Sequence, residues 1–317
     1  MIFVLQVLII VALAPLVQGA MKSLRARLQG RPGPSPLQPY RDLAKLWQKE
    51  ALLPEGVSSI AVCAPGIALG VSLTFAAMLP IFNALPALDD VVALVFLLAL
   101  GRFFLALAAL DSRSAFAGMA ASREMTFASL VEPTLLTALL GAAALLPPVV
   151  PFLGSQPLGV AHLSELWLLT DPRFFGLAGM LGFGAFFLVL LAETARIPID
   201  NQETHYELTM IHEGLALEYS GWQLAFLQIA SYVRQFSFLI LSVRLLPLYG
   251  SWVESPLTYW LTGGLTILSC CAAIAVLIVL VETAFAKLRL FEVPQLLGTA
   301  LILAATSVAM RLLGAAL

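Results

Sequence analysis

Eight runs of about twenty apolar residues, each long enough to cross a bilayer as a helix, constrain this chain more than any other feature. They lie at residues 1–20, 57–79, 91–110, 125–150, 174–192, 223–248, 258–281 and 294–314. Within them apolar residues do not alternate, so helices fit and β-barrel strands do not. The chain has 317 residues, of which 60% are hydrophobic and 11% charged. Soluble domains carry about 25% charged residues. A soluble globular enzyme is excluded, and so is a disordered chain, because this much apolar surface does not stay solvated. The expected fold is an all-α membrane protein of about eight transmembrane helices, one integral membrane domain over residues 1–317. The first run has no positive charge before it and basic residues after it. That is the wrong flank for a cleaved secretory signal, so the run reads as a span. No internal repeat is evident, which argues against an inverted-repeat transporter.

Eight spans define two sets of loops. The set 21–56, 111–124, 193–222 and 282–293 holds 12 of the 17 basic residues and 13 of the 19 acidic ones. The opposite loops and the C-terminus hold only Arg173 and Arg311 as basic residues. The positive-inside rule places the first set in the cytoplasm and both termini outside. A large cytoplasmic face of mixed charge and several prolines reads as a docking surface for soluble partners. Its simpler reading is a solvated loop set that only fixes orientation.

Little in the chain can hold a cofactor. Cys63, Cys270 and Cys271 lie in apolar runs and form no C-x-x-C pair, which speaks against a bound iron–sulfur cluster, a structural zinc or a disulfide framework. Net charge is −2, so nothing suggests nucleic acid. No P-loop or dinucleotide fingerprint occurs. Any redox cofactor is expected in a partner.

Arg244 lies near the outer end of its run, where it can snorkel. Three charges stand well inside the apolar runs: Arg102 in "LLALGRFFLAL", Glu132 in "FASLVEPTLL" and Arg234 in "IASYVRQFSF". Such groups are costly in a bilayer and persist where they pair or line a wet cavity. At 1.5 Å per residue they lie about 11–17 Å from the cytoplasmic ends of their spans, in one layer. Glu132 is expected to pair with Arg102 or Arg234, or with both through water. Pro133, beside it, removes a backbone donor. Two readings remain open: a carboxylate in a proton path, or a static ion pair that fixes helix packing.

The segment "AETARIPIDNQETHYELTMIHEGLALEYSG" concentrates Glu193, Arg196, Asp200, Glu203, Glu207, Glu213 and Glu218 with His205 and His212. "DNQE" predicts a helix start capped by Asp200, with Glu203 and Glu207 on one face. The histidines, seven apart, do not match a metal-ligand pattern. The segment reads as a wet acidic funnel or, more simply, as a solvated charged loop.

That acidic segment resembles the corresponding loop of the H-type membrane subunits of complex I, the proton-pumping NADH:quinone oxidoreductase. Their family includes the membrane subunits of energy-converting nickel–iron hydrogenases and formate hydrogenlyases. "GRPGPSPLQPYRDLAKLWQKE" resembles its first cytoplasmic loop. "LDSRSAFAGMAASREMTFASLVEP" resembles its third-to-fourth span junction, and "ETAFAKLRLFEVPQLL" its last. The compressed first loop, the extended acidic segment, Arg102, "ASRE" and "ELTMIHE" are similar to the hydrogenase-4 and formate hydrogenlyase branch.

The resemblance implies a non-catalytic membrane-anchor and coupling subunit of an oxidoreductase complex in the cell inner membrane. This chain would bind no cofactor, with nickel–iron (NiFe) and iron–sulfur (Fe–S) clusters in peripheral subunits on the cytoplasmic face. Antiporter-like subunits would adjoin it in the membrane. By matching position, Glu132, Glu193, Arg196, Asp200, Glu203, Glu207, Glu213 and Glu218 form a proton path. Arg102 and Arg234 are the buried charge partners, and Arg25, Arg27, Arg31, Arg41 and Asp42 bear on docking. The alternatives are the quinone-binding junction subunit of complex I, which would hold a quinone, and a stand-alone secondary transporter.

Overall fold

The computed structural model describes residues 2–54, 56–79, 90–143, 172–201, 210–245 and 256–315. Among the described residues the chain is all-helical, with no strand. The helices are α1 (Ile2–Leu28), α2 (Gln38–Trp47), α3 (Ser59–Met78), α4 (Val91–Asp111), α5 (Ala115–Ala143), α6 (Pro172–Glu193), α7 (His212–Leu215), α8 (Gly221–Arg244), α9 (Pro256–Ala284) and α10 (Val293–Ala315). The long ones fall on the apolar runs. Among the described residues, six stretches are long and apolar enough to cross a membrane: Val4–Leu28, Ser59–Met78, Val91–Asp111, Gly221–Arg244, Gly264–Ala284 and Val293–Met310. In α6 the apolar stretch is the shorter Leu177–Glu193. α5 carries Arg123, Glu124 and Glu132 along its length.

Local chemistry explains the helix starts. Ser58 caps α3 by accepting the Ile60 N–H at 3.2 Å, and Asp90 caps α4 by accepting that of Val92 at 2.8 Å. Asp111, at the end of α4, accepts the Ser58 N–H at 2.6 Å, which ties the two helices at one end. Two helices outrun their apolar runs. α1 continues to Leu28 with Arg25 and Arg27 in its last turn, where cations are favoured by the helix dipole. α5 begins at Ala115, inside the segment expected to be the loop 111–124. Apolarity marks what a bilayer can hold; the strong helix formers of "AFAGMAASREM" carry the helix further.

α3, α4, α5, α6 and α8 pack in a closed ring; α1 and α9 lie against α8, and α10 against α5 and α6. Gly101 lets α4 close on α3, since a Cβ there would lie 3.0 Å from Val71 Cγ1. Inside the ring, Phe238 sits 5.1 Å from Phe75 and 6.3 Å from Phe186, ring centre to ring centre. All three are fully buried. The outer surface is apolar instead: Phe96, Met180 and Leu265 are exposed on three helices. Apolar outside with buried charge inside is what a lipid-facing bundle requires.

Candidate functional site

The site is built around Arg102 on α4. Its side chain is 5% exposed, and each guanidinium nitrogen faces a different carboxylate. Nε lies 3.6 Å from Glu124, Nη1 lies 3.6 Å from Glu132, and Nη2 donates a short hydrogen bond to Glu193. Glu124 and Glu132 sit eight residues apart on α5, about 12 Å along the axis. Arginine can span them because its planar fork presents donors in several directions. Of the two partners expected for Glu132, the structure selects Arg102. Arg234 on α8 faces the same cavity, with no ion pair among the described residues.

The end of α6 delivers Glu193. Arg196 N–H bonds the Leu191 carbonyl at 2.9 Å and Ala195 N–H bonds that of Ala192 at 3.2 Å. That is the hydrogen-bond pattern of a Schellman stop. Ala195 takes the left-handed position (φ +51°) where glycine is usual. The turn sends Glu193 toward Arg102 and Arg196 the other way, into a second cluster. There Arg196 bonds Glu282 at 3.0 Å and Gln235 at 2.7 Å, with a short bond to Gln18. Arg25 reaches the same Glu282 at 3.5 Å. α1, α8, α9 and the α6 turn are thereby joined by buried polar contacts.

A third set leads outward. Asp200 accepts the backbone N–H of His212 at 3.3 Å and bonds Lys287 at 2.8 Å. It therefore caps the start of α7. The expected helix starting at Asp200 is absent at Asp200 and Asn201. His212 Nε2 lies 3.5 Å from Glu124. Lys287, Asp200, His212, Glu124 and Arg102 thus form a continuous series from the loop end into the ring. Nearby, burial and then the charge of Asp111 push the Tyr219 phenol up to about 12. The hydroxyl stays protonated and donates to the Ala61 carbonyl at 2.7 Å.

A cavity of about 190 Å³ lies between these sets, walled by Arg102, Glu124, Glu193, Arg196, Asp200, His212, Glu213, Arg234 and Glu282. Phe75 lies seven residues past the wall residue Ala68, Phe238 four past Arg234, and Phe186 seven before Glu193. The aromatic cluster therefore lies about 6–10 Å deeper than the charges.

Of the residues expected in a proton path, Glu132, Glu193, Arg196, Asp200 and Glu213 lie in the clusters or the cavity wall. Glu218 is half-buried and lies outside that wall. Glu203 and Glu207 fall outside the described residues. Among the docking residues, Arg27, Arg31 and Arg41 are exposed, Asp42 is half-buried against Gln38, and Arg25 is turned inward onto Glu282. Sequence reasoning missed Glu124, Glu282, Gln18 and Gln235. Glu124 was legible as a carboxylate two turns before Glu132 on a shared helix. The glutamines carry no sequence signal beyond a polar residue in an apolar run.

Residues 1–312 match the NADH dehydrogenase family. The chain belongs to that family. It is 34% identical to formate hydrogenlyase subunit 4 of Escherichia coli over 226 residues, 68% of this chain and 67% of the relative. It is 32% identical to hydrogenase-4 component C of Escherichia coli over 90% of this chain and 87% of the relative. The H-type membrane subunit of the NADH-quinone oxidoreductase of Geobacillus thermodenitrificans is 29% identical over 82% of this chain and 76% of its own length. The fold is similar to that of a chain in the membrane-bound sulfane sulfur reductase, an archaeal respiratory membrane complex. That match has a TM-score of 0.80 at 21% identity and covers 98% of this chain and 100% of the other. The family member described here is a multi-pass membrane protein.

Proposed function

We propose that this chain is the membrane-anchor and coupling subunit of a hydrogenase-type respiratory complex in the cell inner membrane. Peripheral subunits carrying NiFe and Fe–S clusters dock on its basic loops, which face the cytoplasm. The chain relays protons or charge to antiporter-like neighbours in the membrane. The observation that carries this reading is the Arg102 cluster on the cavity wall. Three carboxylates face the one guanidinium of Arg102, and Arg234 lines the same cavity. Acids that crowd a shared cation are suited to take up and pass on a proton. The aromatic cluster lies on the deeper side, and the route is taken to leave sideways. Glu132, at 34% the most exposed side chain of the cluster, lies on that flank. Thr126, Ser129 and Thr137 lie along the exposed side of α5, each hydroxyl bonded to a carbonyl of that helix.

The relatives named for formate hydrogenlyase and hydrogenase-4 favour this reading over a quinone-binding junction subunit. The test is Glu132→Gln in the intact complex. Assembly is expected to be retained and ion movement driven by electron transfer to be lost. Full ion movement in an assembled Glu132→Gln complex overturns the reading.

A further inference from the structure

The buried acids and Arg102 are reached from the loop end through one partly exposed side chain. Lys287 and His212 are 23% and 21% exposed, whereas Asp200 is 2%, Glu124 3% and Arg102 5% exposed. His212 is the partly exposed side chain that lies against Glu124 and also lines the cavity. It is also the one member of the series with an imidazole, the side chain that takes up and releases a proton near neutral pH.

We propose that His212 carries protons from the cytoplasmic side onto Glu124, and thereby into the Arg102 cluster. This rests on the proton-relay reading above and assigns its entrance. The step is a single proton transfer. The Nε2–H bond of the imidazolium breaks as an O–H bond forms on Glu124 Oε1, leaving a neutral ring and a neutral acid. The bare Nε2 takes its next proton from solvent once the ring swings away from Glu124, since Nδ1 is buried. Glu124, once neutral, loosens its hold on Arg102 Nε, and the guanidinium is left to Glu132 and Glu193.

The geometry suits a carrier. The 3.5 Å separation from Glu124 is just beyond a direct hydrogen bond, and a small ring rotation or one bridging water closes it. Nδ1 is buried with no hydrogen-bond partner among the described residues, so among them no second contact locks the ring. The backbone beneath is held firmly. Asp200 accepts the His212 N–H, and Arg123 bonds the Met210 carbonyl at 3.1 Å. Gly214 presses α7 directly against Ala120 of α5. Among the described residues, Glu124 of α5 is the charged group against the ring. Arg123 of α5 and Asp200 of the α6 turn hold the backbone on either side of it. Arg102 of α4, Glu213 of α7 and Arg234 of α8 line the same cavity.

The test uses the intact complex, purified through a tag on this chain and sealed in liposomes. Internal pH is followed while electron transfer runs. His212→Ala removes the carrier, and His212→Arg keeps a cation that does not release its proton. Both are expected to assemble and to lose proton movement by about tenfold or more. Imidazole in the buffer is expected to restore part of it in His212→Ala alone. Wild-type proton movement in either variant overturns the proposal. Loss in His212→Ala without any imidazole response overturns it too, since the role is then structural. Glu132→Gln separates the two ideas. If it moves protons at the full rate, the relay reading fails. If it is blocked while His212→Ala is not, only the entrance assignment fails.

Discussion

One arginine organises the buried chemistry. Arg102 meets Glu124, Glu132 and Glu193 from α4, and those carboxylates come from α5 and the end of α6. Removing a buried cation from three carboxylates leaves uncompensated charge, a loss of about 3–5 kcal/mol. Arg102→Leu is therefore expected to lower the amount of folded subunit in membranes, measured by its yield and by thermal unfolding in detergent. Arg102→Lys keeps the charge but not the three-way fork, so it is expected to fold while holding fewer of the carboxylates. The sequence made Arg102, Glu132 and Arg234 conspicuous because each is costly in an apolar run. It offered either arginine, or both, as the partner of Glu132 without choosing. Glu282 was hidden because it stands at the edge of an apolar run, where a charge costs little and looks like loop. Glu124, though on the helix of Glu132, stood in the expected loop 111–124.

At the scale of elements, the turn after α6 decides which charges go where. Its Schellman stop splits Glu193 from Arg196 and aims them at different clusters. Ala195 holds the left-handed position at a cost of about 1–2 kcal/mol relative to ordinary backbone. Ala195→Gly is expected to stabilise the protein by about 1 kcal/mol, seen as a higher unfolding temperature with both clusters intact. A lower temperature would show that the alanine methyl makes contacts worth more than the strain. The apolar run 174–192 predicted a helix ending close to here. It did not reveal the stop, because the residue that marks such stops is usually glycine.

Across the whole molecule, charge is sorted by depth. Exposed basic residues sit on the first loop, a cavity with many charged wall residues lies among the helices, and an aromatic cluster lies further in. Arg31 and Arg41 are exposed and belong to neither buried cluster. Reversing both charges, Arg31→Glu with Arg41→Glu, is expected to leave this subunit in the membrane while peripheral subunits no longer co-purify with it. Unchanged co-purification would place the docking contacts elsewhere. Arg25 is excluded from that experiment, since it holds Glu282 inside the bundle.

The sequence by itself determined the class of fold and the helix positions, because a bilayer admits few alternatives and apolar run length reads out directly. It also determined that charge had been kept where charge is expensive. Only the tertiary structure decided the partners. Which carboxylate meets which arginine depends on how five helices close into a ring and how a four-residue turn divides its neighbours, and neither is written in hydropathy.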